Sequence, residues 1–212
     1  MPSILEFDEI NRFETDTESY EEYFDSVPYL TDRQKSDRIK LAKNIGDSFN
    51  QIFNIILLVM AYGYMNWDSI REQMETVTFI AVSAALNDDI PDDVSTHLRA
   101  MVTDIADVTQ RHSEEPYYLS DERSIGIGEN ISEQVLNNDD FRKAIETGRT
   151  GKEWVSMRDD KVRETHEIAD GQKRGINEPF IVGDSLLMYP GDWSLGADAK
   201  EIMNCRCGVR YF

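Results

Sequence analysis

The sequence predicts an α+β protein: an N-terminal helical segment followed by a small α+β C-terminal module. Three observations predict it. Apolar residues recur at spacings of three and four from Ile39 to Val108, the pattern shortens into alternating runs after Gly151, and the charge balance breaks between the two. Residues 1–139 hold 28 acids against 10 bases, a net of −18, whereas residues 140–212 hold 13 against 12, a net of −1. A shift that sharp marks segments with different surroundings. The expected organisation is an acidic, aromatic-containing arm at 1–29, a helical domain at 30–139 and an α+β module at 140–212.

The arm carries nine acids and one base, interleaved with Phe7, Phe13, Tyr20, Tyr23 and Phe24. Acids alternating with aromatics fit a segment that is loose alone and docks its rings on a partner, and equally a solvated terminus. Thr31-Asp32-Arg33-Gln34 fits a capping box, and the apolar positions from Ile39 to Met60 predict one long helix to about Tyr64. Asp68 is expected to cap a second helix, which the loop NDDIPDD ends. A third runs from about Val94 to Arg111, with Leu98, Met101, Val102, Ile105 and Val108 on one face. Pro116, Gly126 and Gly128 read as a linker, and residues 131–147 as a further helix or helix pair stopped by Gly148. In the module, KEWVSM (152–157) alternates as a strand, residues 160–169 read as a short helix and DGQKRGINEP (170–179) as turns. SLLMYP (185–190) and CGVRYF (207–212) read as two more strands.

A net charge of −19 repels DNA phosphates, so strong non-specific DNA binding is not expected and a basic protein partner suits the surface better. The opening MPSILEFDEINRFE is acidic and lacks an apolar stretch, so no secretory signal is expected. The apolar run IFNIILLVMAYGYM (52–65) spans 14 residues, contains Asn54 and Gly63, and reads as a buried helix, not a membrane span. His97 and His112, on or at the end of the third helix, have no neighbouring cysteine or paired histidine at i+4 and read as ordinary surface or helix-C-terminal histidines.

The only two cysteines, Cys205 and Cys207, stand in one C-x-C near the end of the sequence. A bridge between them would be strained, which leaves reduced thiols and metal binding. On a strand, residues 205 and 207 face the same side. Arg163 and His166, three apart, share a helix face near Asp160. His166, Cys205 and Cys207 then form a candidate metal set, with zinc the natural ion and Asp160 or Asp192 a fourth donor. The alternative is two small buried residues behind a sheet. In either case Cys205 and Cys207 are expected on the C-terminal strand, facing the helix that carries His166.

At these residues the chain resembles a known family. The order W-V-S-x-x-D-x-x-V-R-x-x-H, D-G-Q, N-E-P-F, M-Y-P-G-D and E-I-x-N-C-R-C is similar to the C-terminal domain of the phage Mu F-like minor head proteins, the head-morphogenesis family encoded beside the portal. The matching residues are Trp154, Arg163, His166, Asp170, Gly171, Pro179, Phe180, Tyr189, Pro190, Gly191, Asp192, Asn204, Cys205 and Cys207, within residues 140–212. The resemblance implies a non-enzymatic minor capsid protein near the portal in the inner head, present in the host cytoplasm during assembly. Its implied partners are the portal protein, the major capsid protein or both, with no membrane. An alternative expectation is a nuclease or toxin-like enzyme using Arg163 and His166 as an acid–base pair.

Overall fold

The computed structural model describes residues 17–63, 65–87 and 89–212, so Phe7 and Phe13 of the expected arm lie outside the described residues. The protein is α+β. Helices α1 (Thr17–Ser26), α2 (Asp32–Tyr62), α3 (Trp67–Ala85) and α4 (Asp92–Arg111) come first. A 3₁₀ turn (Pro116–Leu119) leads into α5 (Asp121–Glu146), and the remainder is β1 (Gly151–Val155), α6 (Glu164–Ala169), β2 (Lys173–Gly175), β3 (Phe180–Val182), β4 (Ser185–Leu187), α7 (Ala199–Ile202) and β5 (Gly208–Tyr211). Two compact units result: Lys40–Gly128 make one, Glu18–Ile39 with Glu129–Phe212 the other.

In the first unit, α2 supplies a buried stripe of Leu41, Ala42, Ile45, Phe49, Ile52, Phe53 and Ile56. By length and composition α2 is apolar enough to cross a membrane, but a stripe buried at three-and-four spacing is the pattern of a core helix. Asn66, not Asp68, caps α3, its Oδ1 accepting from Ser69 N at 3.2 Å. Helix α3 packs along α4, each burying one face: Ile70, Met74, Ala81 and Val82 from one, Val94, Leu98, Val102 and Ala106 from the other.

The expected linker around Gly126 and Gly128 is helical. Ser120 Oγ accepts from Arg123 N at 3.2 Å, so a serine starts α5 ten residues earlier than the spacing predicts. Gly128 is required by proximity, since a Cβ there would lie 2.3 Å from the Ala42 carbonyl oxygen. A glycine that reads as a breaker in one dimension is a helix-crossing point in three. Arg123 fixes the 3₁₀ turn to α4, donating to Thr109 Oγ1 (2.8 Å) and Tyr118 O (2.6 Å), with its guanidinium over the Phe53 ring.

The second unit draws in segments that the charge count assigns elsewhere. The capping box forms: Gln34 N donates to Thr31 Oγ1 at 3.3 Å and Thr31 N to Gln34 Oε1 at 3.0 Å. Arg38 is buried, donating to Asn137 Oδ1 (2.7 Å) and Asp140 Oδ2 (2.8 Å), with Glu133 3.4 Å from its Nε. Tyr20 and Phe24 of α1, expected on a loose arm, are buried. Tyr23 Oη donates to Cys205 O at 3.5 Å. These contacts move the division from residue 139 to Gly128 and place 18–39 with the C-terminal residues.

The sheet runs β2-β1-β5, antiparallel throughout, with Lys152 opposite Arg174 and Tyr211, and Trp154 opposite Val209. A second antiparallel pair, β3–β4, turns at Gly183-Asp184, where Gly183 has φ +58°. Residues 170–179, expected as turns, contain β2, and β3 follows; three-residue strands are too short to display an alternation. The core here is Trp154, Ala169, Phe180, Val182, Leu187, Cys205 and Cys207. Lys152 is buried with it, Nζ donating to Met188 O at 2.8 Å, and burial pushes its ammonium down to about 8.

Candidate metal centre

Helix α6 is one and a half turns long and starts at Glu164, with Asp160 in the preceding turn. Its work is to deliver His166 inward, where the ring stands edge-on to Trp154 with centroids 5.6 Å apart. Strand β5 begins at Gly208, so Cys205 and Cys207 lie in the irregular segment just before it and not on the strand as expected. Two local features set that approach. Asn204 adopts φ +53°, a left-handed conformation that asparagine tolerates, and its N–H donates to Asn130 Oδ1 at 2.7 Å. Gly208 lies so close to Pro28 that a Cβ would sit 2.2 Å from the Pro28 carbonyl oxygen.

The two sulfurs still converge on one side, both beside the same imidazole nitrogen. His166 Nδ1 is 3.4 Å from Cys207 Sγ and 3.5 Å from Cys205 Sγ. All three residues are buried, with exposures of 2–3 %. They form a group that could hold a metal ion, their donor atoms lying within 4.8 Å of one another. Sulfur at about 2.3 Å and nitrogen at about 2.0 Å from one tetrahedral centre stand about 3.5 Å apart, so the N–S distances suit a shared ion.

The other face of the imidazole explains its aim. His166 Nε2 donates to Glu201 Oε2 at 3.1 Å, and Thr165 Oγ1 donates to the same oxygen at 2.7 Å. Glu201 is only 1 % exposed. A carboxylate on one ring nitrogen fixes the other toward the donor set, the usual support of a metal-ligating histidine. Gly183 lets the β3–β4 hairpin approach Glu201, since a Cβ there would meet Glu201 Oε1 at 3.0 Å. Glu201 opens the E-I-x-N-C-R-C run, but nothing in its spacing marks it, one acid among 41, as the partner of His166.

Without a metal the group shares protons. A hydrogen bond from the Cys207 thiol, then the contact with His166, hold the Cys205 thiol well below its ordinary pKa, while that bond and burial push Cys207 up. Burial opposes the imidazolium, but the Cys205 sulfur and the Glu201 charge leave His166 raised. The indole N–H of buried Trp154 is directed at Cys207 and favours a thiolate there. An ion binding here would displace the protons held between nitrogen and sulfur.

The remaining motif residues divide by task. Asp170 accepts from Ser156 N (2.8 Å) and Arg158 Nε (2.9 Å), and these bonds outweigh burial and hold its carboxyl below the usual range. Gly171 turns the chain at φ +75° and donates its N–H to Trp154 O. Pro179, half-buried, leads into buried Phe180, whose ring stands edge-on to Trp154. Tyr189, Pro190 and Gly191 dock on α5: Asn138 Nδ2 donates to Tyr189 Oη at 2.7 Å, and Asn137 Nδ2 to Pro190 O at 3.0 Å. Asp192 accepts from Met188 N and Ser194 N, which closes the turn and leaves it outside the metal group. Asp160 is exposed and also outside it, so neither expected fourth donor joins the three. Arg163 donates to Met203 O. Comparison with protein-family models, with curated proteins and with solved structures gives no match.

Proposed function

We propose that this chain is a structural minor head protein of a tailed phage or prophage, acting in head morphogenesis at or near the portal. Its C-terminal module is fastened by a zinc ion on His166, Cys205 and Cys207. The single observation that carries the metal reading is the convergence of one imidazole nitrogen on two buried sulfurs, backed by Glu201. The family reading is supported by the ordered motifs from Trp154 to Cys207. On this reading the motif residues hold a fold and catalyse nothing. The partners are the portal protein, the major capsid protein or both, and the protein resides in the inner head after assembly in the host cytoplasm.

The strongly acidic surface favours docking on basic protein surfaces over gripping DNA. For the nuclease alternative the geometry is unhelpful, because Arg163 is spent on Met203 O and both nitrogens of His166 face buried partners. The test is co-expression with the portal and capsid proteins encoded beside it, followed by affinity capture. Stable association with either is expected, and labelled RNA should stay intact. Capture of neither, or chelator-insensitive cleavage of RNA lost in His166→Ala, contradicts the proposal.

A further inference from the structure

We infer that a metal held by His166, Cys205 and Cys207 keeps its fourth coordination position open, occupied by one exchangeable water-sized ligand and able to take a small anion. The inference rests on the metal reading above and adds to it that the site is not closed by protein.

The donor group contains three residues and no fourth among the described residues. Glu201, the nearest carboxylate to His166, is committed to Nε2 and Thr165 Oγ1, on the face of the ring turned away from the sulfurs. Asp192 is consumed by two backbone N–H groups. A structural zinc site has four protein donors, whereas three donors and a free position characterise sites where a solvent molecule or substrate completes the tetrahedron.

A cavity supplies the place for that ligand. His166, Cys205 and Cys207 line one side of a pocket of about 20 Å³, bounded also by Met157, Lys161 and Val162. That is room for one water molecule. Arg163 and Arg206 line it too, so with Lys161 three cationic side chains border it. Arg206 is partly offset by Asp159 at 2.9 Å. Two thiolates neutralise a divalent ion, so the cationic rim is what draws a small anion to the open position.

The test uses the full chain, reduced and loaded with one equivalent of cobalt(II), then titrated with azide. Thiolate-to-cobalt charge-transfer absorption on loading, followed by a saturable shift of the cobalt bands with one azide per metal, is the expected result. Loading without thiolate bands overturns the metal reading and the inference with it. Thiolate bands that azide leaves unchanged overturn the inference alone, as does native mass spectrometry showing one cobalt shared between two chains.

Discussion

Glu201 decides which nitrogen of His166 is offered to the sulfurs, and that makes it the most informative single residue. Its carboxylate is buried and accepts from both Thr165 and His166. Glu201→Gln keeps the size but weakens the hold on the imidazole, and metal affinity should fall about 10–100-fold, as for other supporting carboxylates. Competition against a chelating dye measures it; unchanged affinity would remove Glu201 from the site. The histidine and the thiols were legible because such residues are scarce here, three His and two Cys in 212. Their partner was not, because a buried glutamate in a four-residue helix leaves no spacing signal. Asp192 shows the converse: a carboxylate of the right type, near in sequence, captured by its own turn through Met188 N and Ser194 N.

Among the elements, α5 is where pattern and packing part most. Its glycines read as a linker, yet Gly128 is the point where the helix backbone meets Ala42 and Gly46. Gly128→Ala should destabilise by about 1–3 kcal/mol, as overpacking does, although alanine favours helix elsewhere; urea denaturation would show it, and a more stable variant would refute the close approach. Further along α5, burial raises the carboxyl of Glu133 to about 7 against the attraction of Arg38. A carboxyl raised on folding stabilises below its unfolded pKa and loses that contribution as pH rises through its folded value. Stability should therefore fall between about pH 4.5 and 7 by an amount on the order of 3 kcal/mol from this residue. Glu133→Gln, whose amide oxygen can still accept from Asn137, should flatten that slope in denaturation at pH 5 and pH 8. An unaltered slope would place the titration elsewhere. The long helices α2, α3 and α4 were readable because each repeats its period several times, whereas β2, β3 and β4 have three residues each and no room for a repeat.

At the scale of the whole molecule, a net charge of −19 acts on stability and on partners at once. Self-repulsion is screened by salt, so the melting temperature should rise between 20 and about 150 mM salt, where the Debye length shortens to about 8 Å. A fall would mean that attractive ion pairs such as Arg38–Asp140 dominate instead. The charge break in the sequence marked two surroundings, but not the chain path. Residues 18–39 join the C-terminal unit through a buried pair, Arg38 with Asn137, and a half-buried one, Tyr23 with Cys205, whose sequence separations of 99 and 182 lie beyond any local pattern. Within that unit His166, Cys205 and Cys207 converge on one buried group, and the proposal stands or falls on whether that group holds a metal. Zinc-edge X-ray absorption on the purified, reduced full chain tests this directly. One zinc per chain is expected, with two sulfurs at about 2.3 Å and one imidazole nitrogen at about 2.0 Å. A chain that retains no zinc at one equivalent, or a shell of nitrogen and oxygen without sulfur, would contradict it.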